Sequence, residues 1–217
     1  PPRIPVIVRV DGRAFHSFTQ GCERPFDETI VDSMVRAATA VAADMQGFVA
    51  GYVQSDEASF MLTDLTSLEA QPWFDYDVAK VVSISASLMT AHFNHWCSGP
   101  DPNYKRFAVF DSRAFSAPLD DCANYFVWRM NDWARNSLQM LARAHFSHRE
   151  LHQKRTSDIH EMRHGGGVNW AELEPRLRNG TVLARDGEVV PDARWSYREW
   201  NELIVAGIGT VLESVAT

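Results

Sequence analysis

Two short acidic elements hold the residues of this chain best suited to chemistry. In Val6-Ile-Val-Arg-Val-Asp-Gly-Arg-Ala-Phe-His-Ser-Phe18, Asp11 closes a run of strand-forming residues just before Gly12. In Gly51-Tyr-Val-Gln-Ser-Asp-Glu-Ala-Ser-Phe-Met-Leu62, Asp56 stands beside Glu57 between two such runs. Carboxylates that meet at the ends of neighbouring strands make a site for hard divalent cations, with Mg²⁺ the usual occupant. Two such ions, roughly 3.5–4 Å apart, activate an attacking oxygen and neutralise phosphates, which is the chemistry of phosphoryl and nucleotidyl transfer. Asp11 and Asp56 are therefore the candidate catalytic pair. Gly12, which permits close backbone approach, adds its carbonyl as a third candidate metal ligand. Taken singly, each segment also reads as an ordinary turn; their joint placement in a β-α-β-β order favours the metal.

Around this pair stand candidate nucleotide contacts. Arg13, Ala14, Phe15 and His16 can turn successive N–H groups towards a triphosphate. His16 reads equally well as a packed loop histidine. Glu57 is either a further ligand or the partner of a nearby Arg or Lys, the second being preferred. Arg24 and Asp27 flank Pro25 at the expected mouth of the site, and Lys80 has the reach to meet phosphate oxygens.

The elements that must position these residues are legible as periodicities. Ile4 to Val10 is apolar on both faces, as in a central strand. Asp27 is placed to cap a helix whose apolar positions are Ile30, Met34, Ala38, Val41 and Met45. Phe48 to Val53 and Ala58 to Thr63 read as strands joined at Ser55-Asp56-Glu57. A second helix is predicted over Phe74 to Trp96, with Val78, Val81, Val82, Met89 and Phe93 inward, then a strand within Arg106 to Phe115. This β-α-β-β-α-β order is ferredoxin-like, the arrangement of many polymerase palms, and gives an α+β fold. Residues 1–118 are expected to form the palm-like core and 119–217 a mostly helical region packed on it as one unit. The helices predicted there cover Cys122 to Phe146, His148 to His164, Trp170 to Leu177 and Ser196 to Glu213. A hairpin is expected at Thr181 to Arg185 and Glu188 to Val190.

Composition bounds the rest. The chain is 45% hydrophobic and 23% charged, as in ordinary globular proteins. No segment reaches the roughly 18 consecutive apolar residues of a membrane span, so no membrane partner is expected. Three cysteines without metal spacing fit a reducing compartment, and the cytoplasm is the default location. The net charge of −7 argues against coating nucleic acid through an overall field. Between Arg143 and His164, however, five Lys/Arg residues and five histidines meet only Glu150, Asp158 and Glu161. That segment is either a solvated helix face or a docking face for one end of a nucleic acid. The pairs His148/His152 and His160/His164 have i,i+4 spacing, but neither forms His-Glu-x-x-His and no cysteine is near, which disfavours zinc. No nucleophile elbow and no Walker-type glycine loop is present.

Taken together, the motifs resemble the tRNA-His guanylyltransferase family and its 3′-to-5′ polymerase-like relatives. The matching pieces are Arg9-Val-Asp-Gly-Arg-Ala-Phe-His16, Arg24-Pro-Phe-Asp27, Gln54-Ser-Asp-Glu-Ala-Ser-Phe60, Phe110-Asp-Ser-Arg-Ala-Phe115, Tyr125-Phe-Val-Trp-Arg129 with Asp132 and Asn136, and Arg178-Asn-Gly-Thr-Val-Leu183. The resemblance implies addition of nucleotides to the 5′ end of a tRNA. The 5′-monophosphate is activated with ATP, and the 3′-hydroxyl of GTP or another NTP then attacks. By the same likeness, Asp11, the Gly12 carbonyl and Asp56 would hold two Mg²⁺ ions. Gly12 to His16, Ser55 and Lys80 would cradle the triphosphate. Arg129 and Asn136, with Arg149, His152, Lys154 and Arg155 of the basic segment, would meet RNA. Assembly as a homotetramer is also implied.

The chain departs from the family at one place. Eukaryotic members carry His-Ile-Asn-Asn-Leu-Tyr-Asn where Ala134-Arg-Asn-Ser-Leu-Gln-Met140 stands here, with only Asn136 and Leu138 in agreement. That element is tied to choice of the histidine tRNA, so templated repair of tRNA or other RNA 5′ ends is expected instead of strict guanylylation. Asp77 likewise stands where a basic residue is common. The competing readings are a palm-domain cyclase or signalling nucleotide synthetase acting on free NTPs, and an RNA-binding protein without catalysis.

Overall fold

Val6, Ile7, Val8 and Val10 crowd the backbone with β-branched side chains and are buried on both sheet faces, which makes β1 (Val6–Gly12) a central strand. The computed structural model describes residues 2–98, 106–155, 158–159, 169–192 and 194–209. After β1 comes a single helical turn, α1 (Phe15–Phe18), then α2 (Glu28–Asp44). Asp27 caps α2, its Oδ1 accepting the Ile30 N–H at 3.1 Å. The strands β2 (Phe48–Gln54) and β3 (Glu57–Leu62) are buried along their whole length. The helix α3 (Val78–Cys97) leads to β4 (Phe110–Ser116), and the long α4 (Leu119–His145) follows. Beyond it lie α5 (His148–Leu151), α6 (Pro175–Asn179), β5 (Thr181–Ala184), β6 (Val189–Val190) and α7 (Tyr197–Ile208).

The six strands form one antiparallel sheet in the order β4-β1-β3-β2-β5-β6. One face is covered by α2 and α3, through Val8, Val10, Met34, Phe60, Met89 and Phe93. The other face packs on α4 and α7 through Ile7, Tyr52, Met61, Phe126 and Trp200. The rings of Phe126 and Trp200 stack with centroids 4.5 Å apart. Gly207 lets α7 lie directly on β2, since a Cβ there would sit 2.8 Å from Val49 Cγ1. The region after residue 118 is thus not helical alone: β5 extends the sheet beside β2.

Several boundaries differ from the sequence reading. Phe74, Asp75 and Tyr76 hold left-handed backbone (φ 51, 53 and 54°), so α3 starts only at Val78, where Asp77 caps it. Val78, expected inward, is 61% exposed because it lies in the first turn, ahead of the packed stripe. Phe107 and Val109 precede β4 and are exposed. Of the helix expected over His148 to His164, the described residues show one turn at His148–Leu151 and helical backbone again at 158–159, while 156–157 and 160–168 lie outside the described set. Pro175 at a helix start splits the Trp170–Leu177 prediction into a 3₁₀ turn and α6. Gly209, with φ 77°, ends α7; residues 210–217 are not among those described.

Candidate active site

The antiparallel pairing of β1 with β3 sets Asp11 opposite Glu57, and the Gly12 N–H donates to the Asp56 carbonyl at 2.9 Å. The two acidic elements therefore meet at one end of the sheet. On its other side Asp11 is in register with Asp111 of β4. This third carboxylate was missed in the sequence, where Phe110-Asp-Ser-Arg carries no sign of its register. Gly12 admits no side chain, since a Cβ would lie 2.3 Å from the ring of Phe15.

Adjacent carboxylates require compensation, and the chain supplies part of it. Arg9 reaches Asp11 Oδ2 at 2.7 Å and Glu57 Oε2 at 2.6 Å. Arg129 grips Glu57 with both Nε and Nη2 at 2.7 Å, and touches Asp132 at 3.3 Å. Glu57 is thereby enclosed by two guanidiniums on the α4 side of the sheet. Arg129 is buried in the same contact, which corrects its expected place on an RNA-facing surface. Among the described residues, Asp56 receives no such cation. Burial first, and then the neighbouring Asp11 and Glu57, push its carboxyl up to about 6 against the pull of its own N–H and the Ser55 hydroxyl. The pair thus carries surplus negative charge. Two carboxylates with a backbone carbonyl leave coordination positions for water and phosphate, the oxygen set Mg²⁺ takes. Among the described residues, no three His, Cys, Asp or Glu side chains converge as a complete metal cage.

Ala14 and Ser55 flank the pair, both in the left-handed region (φ 51 and 46°), a conformation costing a non-glycine residue roughly 1–2 kcal/mol. Strain of this kind concentrates at functional sites. Beside them opens a cavity of about 350 Å³. Five of the expected nucleotide contacts line it: Phe15, His16, Arg24, Asp27 and Ser55. Its far wall was not foreseen and comes from α4, as Trp133, Met140 and Arg143. Arg176 also faces it but is held by Asp32, Glu174 and Glu28. Arg24 and Arg143 make no ion pair among the described residues. Asp27 divides its oxygens between the N–H groups of Ile30 and Glu23, so it shapes the loop as well as the cavity.

Other expected contacts fall elsewhere. The Arg13 N–H is taken by the Val109 carbonyl at 2.8 Å. Lys80 lies in the first turn of α3, about 20 Å along the helix axis from Phe93, and it is Phe93 that packs on Phe15 at 5.5 Å. Lys80 is therefore not brought to this cavity within one chain. Asp77 caps α3 and does not face the site. Asn136, Arg149, His152, Lys154 and Arg155 are exposed on and beyond α4, with Asn136 donating to Asp132 at 3.3 Å.

The family model of tRNAHis guanylyltransferase matches residues 1–118, which carry both acidic elements and the strands β1 to β4. The chain belongs to that family. It is a nucleotidyltransferase. The tRNA(His) guanylyltransferase of Debaryomyces hansenii is 29% identical over 199 residues, covering 83% of this chain and 73% of that protein. A bacterial tRNA(His) guanylyltransferase-like protein solved in complex with ATP superposes with a TM-score of 0.87 at 34% identity, covering 94% of this chain and 92% of that one. A bacterial structure of the same description in complex with GTP gives 0.76 at 31% identity, covering 94% and 91%. The Saccharomyces cerevisiae enzyme, at 21% identity over 88% and 89% of the two chains and a TM-score of 0.75, shares the fold.

Proposed function

We propose that this family member is a Mg²⁺-dependent nucleotidyltransferase that extends the 5′ ends of tRNA in the 3′-to-5′ direction, guided by the opposing strand and not restricted to the histidine tRNA. The observation that carries the reading is the joining of Asp11 and Asp56 through the Gly12–Asp56 hydrogen bond at the mouth of a nucleotide-sized cavity. The strand order β4-β1-β3-β2, with α2 and α3 on one face, supports a ferredoxin-like palm as the core. The ATP- and GTP-bound relatives support a nucleoside triphosphate as the cavity's occupant.

Asp11, Asp56 and the Gly12 carbonyl are the residues that would hold Mg²⁺. When bound, the ions lower the pKa of an attacking hydroxyl and neutralise phosphate charge. The protein's own groups do the rest. Arg9 holds one oxygen of Asp11 and fixes its rotamer. Phe15, packed on Phe93 and Phe110, fixes the chain just beyond Gly12. Arg24 and Arg143 approach the cavity from opposite walls and offer positive charge to phosphates. The 5′-monophosphate of the RNA attacks the α-phosphate of ATP and pyrophosphate leaves. The 3′-hydroxyl of the incoming NTP then attacks the activated 5′-phosphate and displaces AMP. The divergent stretch 134–140 bears on this directly, because Met140 within it and Trp133 before it wall the cavity.

The test is nucleotide addition to 5′-monophosphorylated and 5′-triphosphorylated tRNAs lacking their first nucleotide, with each labelled NTP and an Asp56→Ala control. Addition that follows the opposing base on several tRNAs supports templated repair. Addition of G to histidine tRNA alone restores strict guanylylation. Product formed from NTPs without RNA sinks the proposal in favour of free-nucleotide chemistry.

A further inference from the structure

Arg9 and Asp11 are two residues apart on β1, so their side chains share one sheet face, and Glu57 stands opposite Asp11 on β3. On that face the charges of Asp11, Arg9, Glu57, Arg129 and Asp132 form a row that alternates in sign. The row is closed in its middle and open at its ends. The side chains of Glu57 and Arg129 are 6% and 7% exposed, against 31% for Asp11 and 27% for Asp132. Buried charges are little screened by water or salt, so a change at one link is felt at the next.

Two atoms in this row serve two partners each. One nitrogen of Arg9, Nη2, meets Asp11 Oδ2 at 2.7 Å and Glu57 Oε2 at 2.6 Å. That same Oε2 accepts from Arg129 Nη2 at 2.7 Å. The other oxygen of Glu57 is taken by Arg129 Nε at 2.7 Å and by Gln54 Nε2 at 3.2 Å. The Nε of Arg9 is buried and has no partner among the described residues. Arg129 therefore holds Glu57 with a two-pronged fork, the geometry that fixes a guanidinium in place. Arg9 is instead divided between two carboxylates by a single nitrogen.

We propose that Glu57 and Arg129 are positioning residues for Asp11 that act through Arg9, a role that rests on Asp11 being a cation ligand. The grip of Arg129 on Glu57 sets how much of Arg9 is left to Asp11, and so how available Asp11 is to a divalent cation. The direction follows from competition. With Glu57 neutralised, Arg9 has one carboxylate left, turns onto Asp11 and competes with the cation for it. With the grip of Arg129 loosened, Glu57 draws Arg9 away and Asp11 is freed. Changes at two neighbouring buried residues thus act in opposite directions, whereas a loss of packing alone would weaken the cation in both. Asp132, at the far end, immediately precedes Trp133 of the cavity wall, so the row joins that wall to the carboxylate at the cavity's mouth.

The experiment is titration of the nucleotide-free full chain with Mn²⁺, which takes the same oxygen sites as Mg²⁺, followed by electron paramagnetic resonance of the free ion. Glu57→Gln should weaken the tightest site about tenfold, the size of one charge-assisted hydrogen bond, and Arg129→Gln should tighten it about threefold. In an Arg9→Met background both shifts should shrink to within about twofold, because the intermediary is gone. A through-space effect of the lost charge would persist there. Arg129→Lys keeps the charge but gives up the fork, and should tighten the site by a smaller factor. It also serves if circular dichroism shows Arg129→Gln unfolded. Shifts of the same sign in the Glu57 and Arg129 variants, or shifts undiminished without Arg9, would overturn the proposal and leave Asp11 as a cation ligand. A wild type that takes up Mn²⁺ no better than Asp11→Asn would sink the cation reading, and this proposal with it.

Discussion

Asp56, the proposed metal ligand, is costly to the fold. Its carboxyl, ordinarily near 3.8, is pushed up to about 6, so between these values the folded chain holds a proton that the unfolded chain has released. Stability therefore falls as pH rises through that window, and the full cost is present above about pH 6. Discounted for partial exposure, it is roughly 1–2 kcal/mol. Asp56→Asn is expected to raise the melting temperature of the metal-free protein at pH 7.5, to lose that advantage at pH 4, and to abolish nucleotide addition. Thermal melts at the two pH values check this. Apparent Mg²⁺ affinity of the wild type should rise between pH 5 and 7 as the proton leaves; titration calorimetry showing no such trend would separate Asp56 from the cation. Arg143→Ala should raise KM for the NTP about tenfold, the loss of one charge-assisted contact of roughly 1.4 kcal/mol, with kcat little changed. At this scale the sequence was informative where type and neighbour sufficed, as for Asp11, Gly12 and Asp56. It was silent on Asp111 and Arg143, which reach the site through strand register and helix phase.

Among the elements, α4 carries the most consequences. It buries Arg129 against Glu57, stacks Phe126 on Trp200, and walls the cavity with Trp133, Met140 and Arg143. Removing one side of a buried ion pair leaves the other charge uncompensated, typically at about 3–5 kcal/mol. Glu57→Ala should therefore destabilise by about that amount, read from the urea midpoint, and should do so with or without Mg²⁺. Gly207→Ala offers a second check on the same layer. Alanine favours helix by roughly 1 kcal/mol, yet here its methyl would press on Val49, so a net loss of stability is expected. The periodicities that revealed α2 and α4 come from stripes of buried apolar residues. The late start of α3 was hidden because the left-handed turn at 74–76 uses Phe, Asp and Tyr, types that do not announce it.

For the whole molecule, the order of strands followed from the alternation of elements up to β4, and the sheet extends beyond it. The strand β5 was visible as half of a hairpin, but nothing local says that Thr181–Ala184 pairs with β2, more than a hundred residues earlier. Long-range pairing of this kind is decided by which edge remains open once the first four strands have assembled. The other open edge is β4, which among the described residues pairs with β1 alone.

The grip of Arg129 on Glu57 spans 72 positions of the chain. A polypeptide leaving the ribosome at about 5–20 residues per second would present the glutamate roughly 4–14 seconds before the arginine that neutralises it. Of the two arginines that hold Glu57 in the folded structure, only Arg9 has been synthesised through that interval. The sheet face bearing Ile7, Tyr52 and Met61 remains wet until α4 arrives. The end of the sheet bearing Asp11 and Asp56 is therefore written well before the helix that closes over it.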